Sequence, residues 1–362
     1  MLAAVQVRQA VRRAFDRNRQ ENLVALAAGV DQVEAVHKPS LDPLSQLLGS
    51  DLECVNRLIV ERMQSPVALI PQLAGHIVGG GGKRLRPMLT LGCARLCGYE
   101  GVRHVALAAA VEFIHTATLL HDDVVDASDL RRGRDTANAL WGNKPAILVG
   151  DFLFSRSFEL MVADGSLRVL DILSRASSVI AEGEVLQLMT QNNLKTTEAS
   201  YLEVIRAKTA ELFAAASRIG AVVAERPREE EVALDRFGRD LGIAFQLVDD
   251  MLDFSARQTE LGKSIGDDFR DGKITLPILL AFARGDEEER AFWRRVLEEM
   301  DQRAGDLDRA IGLVKRRGAL EETLRRARAY AANAIEALLV FPDGQERRAL
   351  IEAALFATER RA

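Results

Sequence analysis

The sequence predicts an all-α protein, and three observations lead to that prediction. Of its 362 residues, 48% are hydrophobic, which is enough for a large buried core, whereas only 5% are aromatic. Alanine, leucine, glutamate and arginine dominate, and these residue types favour helices. Apolar residues recur three and four positions apart, and no convincing series of alternating strands is found. We therefore expect helices packed around one core.

The first 38 residues are predicted to be an extension, and residues 39–362 to form the main domain. The chain begins MLAAVQVRQAVRRAFDRNRQ, which is rich in arginine and lacks the basic, apolar, then small order of a secretory signal. The extension ends near KPSLDP, which separates it from the periodic segments. We interpret it as a dispensable amphipathic extension, with an organellar transit peptide as the alternative.

Helical periodicity is clearest in two parts of the main domain. One runs through Val105 and Phe113, and the other runs through Ala327 and Leu338 near the C terminus. Stretches rich in glycine, proline or charge divide the predicted helices from one another. These breaks fall at 79–87, 98–101, 131–135, 226–231, 262–273 and 342–344.

Charge and cysteine content narrow the class of protein. The formal net charge of −5 argues against a general nucleic-acid binder, which would carry basic stripes. The sparse cysteines, Cys54, Cys93 and Cys97, suit a reducing compartment, so we expect a cytoplasmic protein. Cys93 and Cys97 share a helix face and are expected in the core. No apolar run reaches the roughly 18–20 residues of a membrane span.

Two acidic motifs of the form DDxxD follow apolar helical stretches, at 122–126 and 249–253. Aspartates four positions apart share a helix face, and their repulsion rises sharply if they are partly buried. One such motif alone could be a solvated acidic patch, but two with matched apolar approaches indicate a site that needs cations. Oxygen ligands select hard ions such as Mg²⁺, which leaves coordination positions for substrate phosphates. The six aspartates are Asp122, Asp123, Asp126, Asp249, Asp250 and Asp253.

Basic residues lie close to both motifs and to a run of four glycines. Glycine lets backbone approach an anion, and arginine and lysine bind phosphate oxygens. GGGGK at 79–83 is not a P-loop, since it lacks the GxxxxGK[ST] spacing after a strand. The cations are Lys83, Arg84, Arg86, Arg131, Arg132, Lys208, Lys263 and Lys273.

These motifs together resemble one family. GGGGKRLRP, EFIHTATLLHDDVVDASDLRRG, GDFLFSRSF, KTA, FQLVDDMLDF and DGKITLP occur in the order seen in trans-isoprenyl diphosphate synthases. The chain is most similar to the long-chain polyprenyl diphosphate synthases that make ubiquinone side chains, from about residue 40 to its end. It departs from them at Asp135, where the family usually has proline. We expect a local loop change there and no loss of activity.

The resemblance implies a homodimer of isoprenoid-synthase-type helical bundles, each around a central cavity, that condenses isopentenyl diphosphate with an allylic diphosphate such as farnesyl diphosphate. It implies that the six aspartates bind Mg²⁺. The allylic diphosphate would be contacted by Arg131, Lys208, Thr209, Gln246, Lys263 and Lys273. Isopentenyl diphosphate would be contacted by Gly82, Lys83, Arg86, His115 and Arg132. The residues expected to act directly in ionisation are Asp122, Asp123, Asp126, Arg131, Lys208, Asp249 and Asp250.

The chemistry explains why no protein nucleophile is needed. Departure of diphosphate leaves an allylic cation, and the double bond of isopentenyl diphosphate supplies the attacking electrons. The released diphosphate can take the proton, and water must be excluded. His121 is expected to be structural.

Product length should depend on space below the first motif. Ala117 and Thr118 are small, so chain growth is not blocked one turn away, and Phe113 and Phe152 are candidate partial stops. We expect eight to ten isoprene units and transient membrane contact on product release. The alternatives are a shorter-chain geranylgeranyl diphosphate synthase, a terpene cyclase, a metal-dependent phosphohydrolase and a non-catalytic subunit.

Overall fold

The computed structural model describes residues 38–80, 82–131, 133–255 and 266–359. The part from Pro39 onward is one compact unit. The predicted extension, except Lys38, lies outside the described residues, as do the predicted site residues Arg132 and Lys263.

Helices account for nearly all of the regular structure, which confirms the all-α prediction. The first half contains α1 Asp42–Leu47, α2 Gly49–Arg62, α3 Leu69–Val78, α4 Leu85–Leu96, α5 Arg103–Val125, strands β1 Leu130–Arg131 and β2 Arg134–Asp135, α6 Ala137–Trp141, α7 Asn143–Asp164 and α8 Leu167–Thr190. The second half contains α9 Glu198–Ile205, α10 Glu211–Val223, α11 Arg228–Ser255, α12 Asp267–Arg270, α13 Leu276–Arg284, α14 Glu287–Trp293, α15 Asp306–Arg316, α16 Ala319–Ala337 and α17 Gln345–Glu359. A π-helical turn, Arg206–Ala210, joins α9 to α10, and another, Arg294–Glu298, follows α14.

The two strands form a small antiparallel hairpin directly after the first acidic motif. Leu130 pairs with Asp135, and Arg131 pairs with Arg134. The carbonyl of Asp135, the residue that replaces the family's usual proline, accepts a hydrogen bond from His76 Nε2 at 2.8 Å. The departure therefore lies in a hairpin fastened to α3, and its effect on activity stays a prediction.

Two buried apolar clusters form the core, and α11 contributes to both. Leu234 and Leu241 belong to the cluster built mainly from α1–α8, α10 and α17. Leu247 and Leu252, further along the same helix, belong to the cluster built mainly from α13–α16. The second acidic motif therefore lies where the helix enters the second cluster.

The largely buried helix α5 of the first cluster ends in the first acidic motif. It also has the length and mean hydropathy of a membrane span, so the expectation that no apolar run is that long is wrong. Within the protein, however, 67% of its apolar stretch is buried. A largely buried helix of this kind is the core helix of the fold, and its apolar composition follows from packing on all sides.

Close helix packing fixes the π turn Arg206–Ala210 in place. A Cβ at Gly183 of α8 would come within 2.7 Å of the Lys208 backbone nitrogen. A Cβ at Gly242 of α11 would come within 2.6 Å of Ala210 Cα. Only glycine permits both approaches, so α8 and α11 hold this turn from two sides.

The cysteines pack as expected from the sequence. Cys93 and Cys97 are free and buried, and Cys54 is free and half-buried. Burial raises the pKa of Cys93, and burial together with Glu230 raises that of Cys97 to about 12. These two thiols are therefore protonated and unreactive core residues.

Candidate active site

The first acidic motif presents two of its aspartates differently from the third. Asp122 and Asp126 are one helical turn apart and retain side-chain exposures of 15% and 20%. Asp123 points elsewhere because adjacent helical residues are rotated by about 100°. Its side chain is 2% exposed, and Oδ1 accepts a 2.8 Å hydrogen bond from Arg131 Nε and forms an ion pair with Nη2 at 2.6 Å. The hairpin that follows α5 thus returns Arg131 onto the motif.

The second motif also has a buried middle aspartate. Asp250 is 3% exposed, and its Oδ1 accepts a 2.8 Å hydrogen bond from Gln246 Nε2. Its Oδ2 accepts a hydrogen bond from the hydroxyl of Tyr201 on α9. Asp253 Oδ1 accepts a 3.2 Å bond from the Asp267 backbone N–H, whereas its Oδ2 is buried without a hydrogen-bond partner.

The π turn brings the two motifs to a common space. Lys208 Nζ lies 2.7 Å from Glu184 Oε2 and 3.9 Å from Asp122 Oδ2, on the side of the first motif. The next residue, Thr209, donates a 2.9 Å hydrogen bond to Gln246 Oε1, on the side of the second motif. Consecutive residues of one tightly held turn therefore face both motifs.

A second connection runs through Lys273. Its Nζ lies 2.9 Å from Asp126 Oδ2 in the first motif and 3.0 Å from Asp271 Oδ2. It also lies 3.9 Å from Asp268 Oδ1, a carboxylate whose charge acts on both Asp250 and Asp253. The two acidic motifs consequently face a common space and do not lie on separate outer surfaces. The predicted site requires this arrangement.

The carboxylates around this space have raised pKa values. Burial, and then repulsion from Asp268, raises the pKa of Asp250 to about 7 and that of Asp253 to about 8. Burial and repulsion from Asp122 raise the pKa of Glu184 to about 7. Burial also raises the pKa of Asp122, although Lys208 and Arg131 oppose it. Buried carboxylates that repel one another are typical of a site that binds cations.

The donor set fits Mg²⁺ although the described residues form no complete cage around one point. Among the residues that the structure describes, no three metal-ligating side chains converge on one point. Magnesium needs only one or two carboxylates when water and phosphate oxygens complete its coordination. The buried, unpartnered oxygens Asp253 Oδ2 and Glu184 Oε1 are available for such a role.

A separate basic group lies just beyond Gly82. It consists of Lys83 and Arg86, near the start of α4, and His115 on α5. Arg86 Nη1 lies 3.0 Å from Nε2 of His115 on α5, and its guanidinium lies over the Phe213 ring at 4.5 Å. Lys83 Nζ lies over the Phe356 ring at 4.6 Å. Arg84 differs from these two, because it forms an ion pair with the buried Glu112. The structure thus brings Arg86 and His115 together, as the assignment to one substrate requires.

The residues proposed to limit product length lie along α5 and α7. Phe113 and Ala117 are buried, and Thr118 Oγ1 donates a 2.8 Å hydrogen bond to the His115 carbonyl. Phe152 is half-buried beneath Arg156, with 4.8 Å from the guanidinium to its ring. Their role in chain length stays a prediction.

His121 points away from the acidic space. Its Nε2 lies 3.2 Å from the Ile147 carbonyl and 3.5 Å from Asp151 Oδ1, both on α7. A Cβ at Gly150 would collide with its ring at 2.3 Å, so the ring packs directly on α7. This geometry supports the structural role expected of His121.

Sequence reasoning missed Glu184, Tyr201 and Asp268. Glu184 follows Gly183, and a glycine inside a helical pattern can indicate close backbone packing. Asp268 lies in the stretch 262–273, which the sequence marked only as a break. Tyr201 carried no local signal, since its contact with Asp250 joins residues 49 positions apart.

Comparison with known proteins identifies the family to which the chain belongs. The polyprenyl synthetase family model matches residues 67–314. The octaprenyl diphosphate synthase of Escherichia coli (strain K12) is 49% identical over 321 residues, which cover 89% of this chain and 99% of that protein. A polyprenyl synthase from Caulobacter crescentus CB15, solved with calcium and isoprenyl diphosphate, superposes with a TM-score of 0.88. It is 54% identical and covers 91% of this chain and 100% of that one.

A decaprenyl diphosphate synthase from Rhodobacter capsulatus has a TM-score of 0.85 and 54% identity, over 88% of this chain and 99% of that one. The helical fold and paired acidic motifs therefore define a prenyltransferase. The chain belongs to the polyprenyl synthetase family.

Proposed function

We propose that this enzyme adds isopentenyl diphosphate units head-to-tail to an allylic diphosphate, giving a product of eight to ten isoprene units for a quinone side chain. The observation that carries the proposal is the π turn. Lys208 faces Asp122 and Glu184, while Thr209 faces Gln246 and the second motif. One diphosphate placed beside this turn would lie within reach of both acidic motifs.

The aspartates would hold Mg²⁺, with Asp122, Asp126, Asp249 and Asp253 toward the ligand and Asp123 and Asp250 buried behind them. Bound Mg²⁺ supplies Lewis-acid stabilisation of the charge that develops on a leaving diphosphate. The calcium found with isoprenyl diphosphate in the Caulobacter protein supports a divalent-ion site in this fold.

The cations of the site would bind and orient the allylic diphosphate. Lys208 and Lys273 bridge carboxylates of the site, and Arg131 pairs with Asp123. Burial alone would lower the pKa of Lys273, but Asp268, Asp126 and Asp271 raise it above its usual value. Lys273 therefore stays charged across the physiological range and can balance the charge of a departing diphosphate. Thr209 and Gln246 add neutral hydrogen bonds, and Lys263 belongs to the same predicted set.

Isopentenyl diphosphate would bind at the other basic group. Arg86 and His115 are 3.0 Å apart, and Lys83 precedes them on the glycine run with Gly82. Arg132 belongs to the same predicted set. Holding the two substrates in register is worth roughly 7–11 kcal/mol of barrier when their geometry is right.

Incubation with Mg²⁺, farnesyl diphosphate and labelled isopentenyl diphosphate tests the function. We expect label in a long, apolar product and loss of that product with EDTA. Consumption of farnesyl diphosphate without isopentenyl diphosphate would indicate a cyclase, and consumption of neither would indicate a non-catalytic subunit. Release of phosphate without carbon-chain growth would indicate a phosphohydrolase.

Product length tests the finer proposal. Ala117→Tyr or Thr118→Phe should shorten the product to about three or four units, because an aromatic ring would occupy the helical turn below the motif. Ala163→Tyr is the control, since Ala163 is exposed on α7. Product chromatography that shows unchanged length for Ala117→Tyr would contradict the role of α5. Wild-type product of only four units would favour the geranylgeranyl alternative.

We also propose a homodimer in the cytoplasm, with transient membrane contact when the apolar product leaves. Its support is an exposed apolar set on α7 and α8: Ile147, Leu148, Val185, Leu188 and Met189. Such side chains are typical of a surface covered by a partner. Sedimentation velocity should give a dimer for the wild type and a monomer for the double variant Leu148→Glu, Leu188→Glu. A monomeric wild type would contradict this assignment.

A further inference from the structure

A buried tyrosine lies behind the second acidic motif. Tyr201 is 4% exposed, and its hydroxyl donates to Asp250 Oδ2. A phenol has an ordinary pKa of about 10, so the hydroxyl carries its proton at neutral pH. A permanent donor thus faces a carboxylate of the motif from a neighbouring helix.

Asp250 has a protein donor on each oxygen. Tyr201 donates to Oδ2, and Gln246 Nε2 donates to Oδ1 at 2.8 Å. With 3% exposure and both oxygens bonded, the carboxylate faces the protein. Asp253 differs, since its Oδ2 is buried with no hydrogen-bond partner. The two aspartates of one motif therefore have different tasks.

The bonds of Asp250 also determine which way the Gln246 amide points. Both oxygens of Asp250 accept hydrogen bonds, so the amide nitrogen, which is the donor, faces Asp250. The amide oxygen is then left for Thr209, whose hydroxyl donates to it at 2.9 Å. If Asp250 moved, the amide could turn over, and Thr209 would lose its acceptor.

We propose that Tyr201 is a positioning residue that acts through Asp250 and Gln246 on Thr209. The chain of bonds crosses α9, α11 and the π turn. It places the Thr209 hydroxyl beside Lys208 for the allylic diphosphate, and it makes Asp250 a support for the site rather than a metal ligand. The inference rests on the proposed function, because Thr209 and Gln246 matter only if the allylic diphosphate binds there.

Tyr201→Phe removes the hydroxyl and keeps the ring. We expect kcat for elongation to fall about 10- to 100-fold, since a small misplacement at a reacting site has effects of this size. KM for isopentenyl diphosphate should change less than about twofold, because the chain does not reach Arg86 or His115. Tyr330→Phe is the matched control, since Tyr330 packs against the same apolar cluster and its hydroxyl is not part of the chain.

Binding of a farnesyl thiolodiphosphate analogue, measured by calorimetry with saturating Mg²⁺, gives a readout other than turnover. Tyr201→Phe should weaken it about tenfold, the effect of one hydrogen bond to a charged group. The double variant Tyr201→Phe, Gln246→Ala should lose no more than Gln246→Ala alone, because residues acting in one chain are not additive. Losses that multiply would overturn the inference.

Asp250→Asn tests the same chain without changing Tyr201. Because the Tyr201 hydroxyl donates, the asparagine oxygen should face Tyr201 and its nitrogen should face Gln246. The Gln246 amide would then have to turn over, so analogue binding should weaken as in Tyr201→Phe. The Mg²⁺ concentration for half-maximal analogue binding should stay within about twofold of the wild type, whereas Asp249→Asn should raise it about tenfold. A similar rise in Asp250→Asn would identify Asp250 as a ligand and overturn the inference.

The outcomes separate the two proposals. A wild type that does not elongate farnesyl diphosphate contradicts the proposed function. A wild type that elongates, with Tyr201→Phe equal to Tyr330→Phe in kcat and analogue binding, contradicts only the role of Tyr201.

Discussion

The two acidic motifs have the same spacing and the same buried middle aspartate, yet that aspartate is stabilised by different side chains in each motif. Asp123 is paired with the guanidinium of Arg131, which comes from the hairpin just after its own helix. Asp250 is bonded by the hydroxyl of Tyr201 and the amide of Gln246, of which Tyr201 comes from another helix. One motif is thus balanced by a local cation, and the other by neutral donors.

The difference affects how much charge each motif leaves for a ligand to balance. Neutral donors hold a carboxylate in place but add no positive charge. Asp267 and Asp268, which follow the second motif, add negative charge, and the pKa values of Asp250 and Asp253 rise to about 7 and 8. The first motif holds Arg131 in place, whereas the second leaves more negative charge for a ligand to balance. Two motifs of the same pattern therefore differ in how much negative charge a ligand has to balance.

We expect the largest effect on activity when an aspartate on the ligand side of either motif is replaced. Asp122→Ala and Asp249→Ala should each lower kcat by about 10³-fold or more, as loss of a group that stabilises developing charge does. Steady-state elongation assays measure this, with Asp151→Ala, an exposed aspartate on α7, as the control. Intact turnover in either variant would show that its motif is not part of the site.

The next effect compares the two means of neutralisation directly. Arg131→Met would leave Asp123 buried and unpaired, so it should lower the free energy of unfolding by about 3 kcal/mol. Tyr201→Phe removes one donor and should lower it by about 1 kcal/mol. Urea unfolding measures both, with Arg134→Met on the same hairpin as the control. Equal losses would contradict the distinction between cation and neutral donors.

A smaller effect concerns pH in the metal-free protein. The folded-state pKa values of Asp250, Asp253 and Glu184 lie at about 7, 8 and 7, above their unfolded values. The folded state therefore binds more protons, and the free energy of unfolding falls as pH rises from about 4 to about 8. In EDTA, Tm should be lower at pH 8 than at pH 6, and Asp253→Asn should flatten the slope. Stability that rises over this interval would contradict these shifts.

The smallest effect tests the hairpin beside the first motif. Asp135→Pro restores the family's usual residue and keeps the carbonyl that accepts from His76. Because Asp135 is exposed, activity should stay within about twofold of the wild type, and stability within about 0.5 kcal/mol. A larger change in elongation rate would show that the hairpin sets the position of Arg131.

The sequence predicted those parts of the site that depend on the spacing of residues along a single helix. The spacing of Asp122 and Asp126 places them on one helix face, and residue types alone indicate a cation site. It could not predict that Tyr201 bonds Asp250, since that contact depends on the packing of α9 against α11. Glu184 was missed for the same reason, because its contact with Lys208 depends on α8 packing against the π turn. The bond from Gln246 to Asp250, by contrast, is made within one turn of α11.

The π turn Arg206–Ala210 has a further consequence for how this chain tolerates change. A π turn contains one residue more than the α-helical turn it replaces. Deleting one residue within 206–210 would restore regular winding but rotate everything after it by about 100°. The apolar face of α10 would then turn away from α4 and α11 while Lys208 lost its direction. The extra residue keeps two halves of one long helix in phase with two different neighbours, so the length of this short stretch should be as constrained as its side chains.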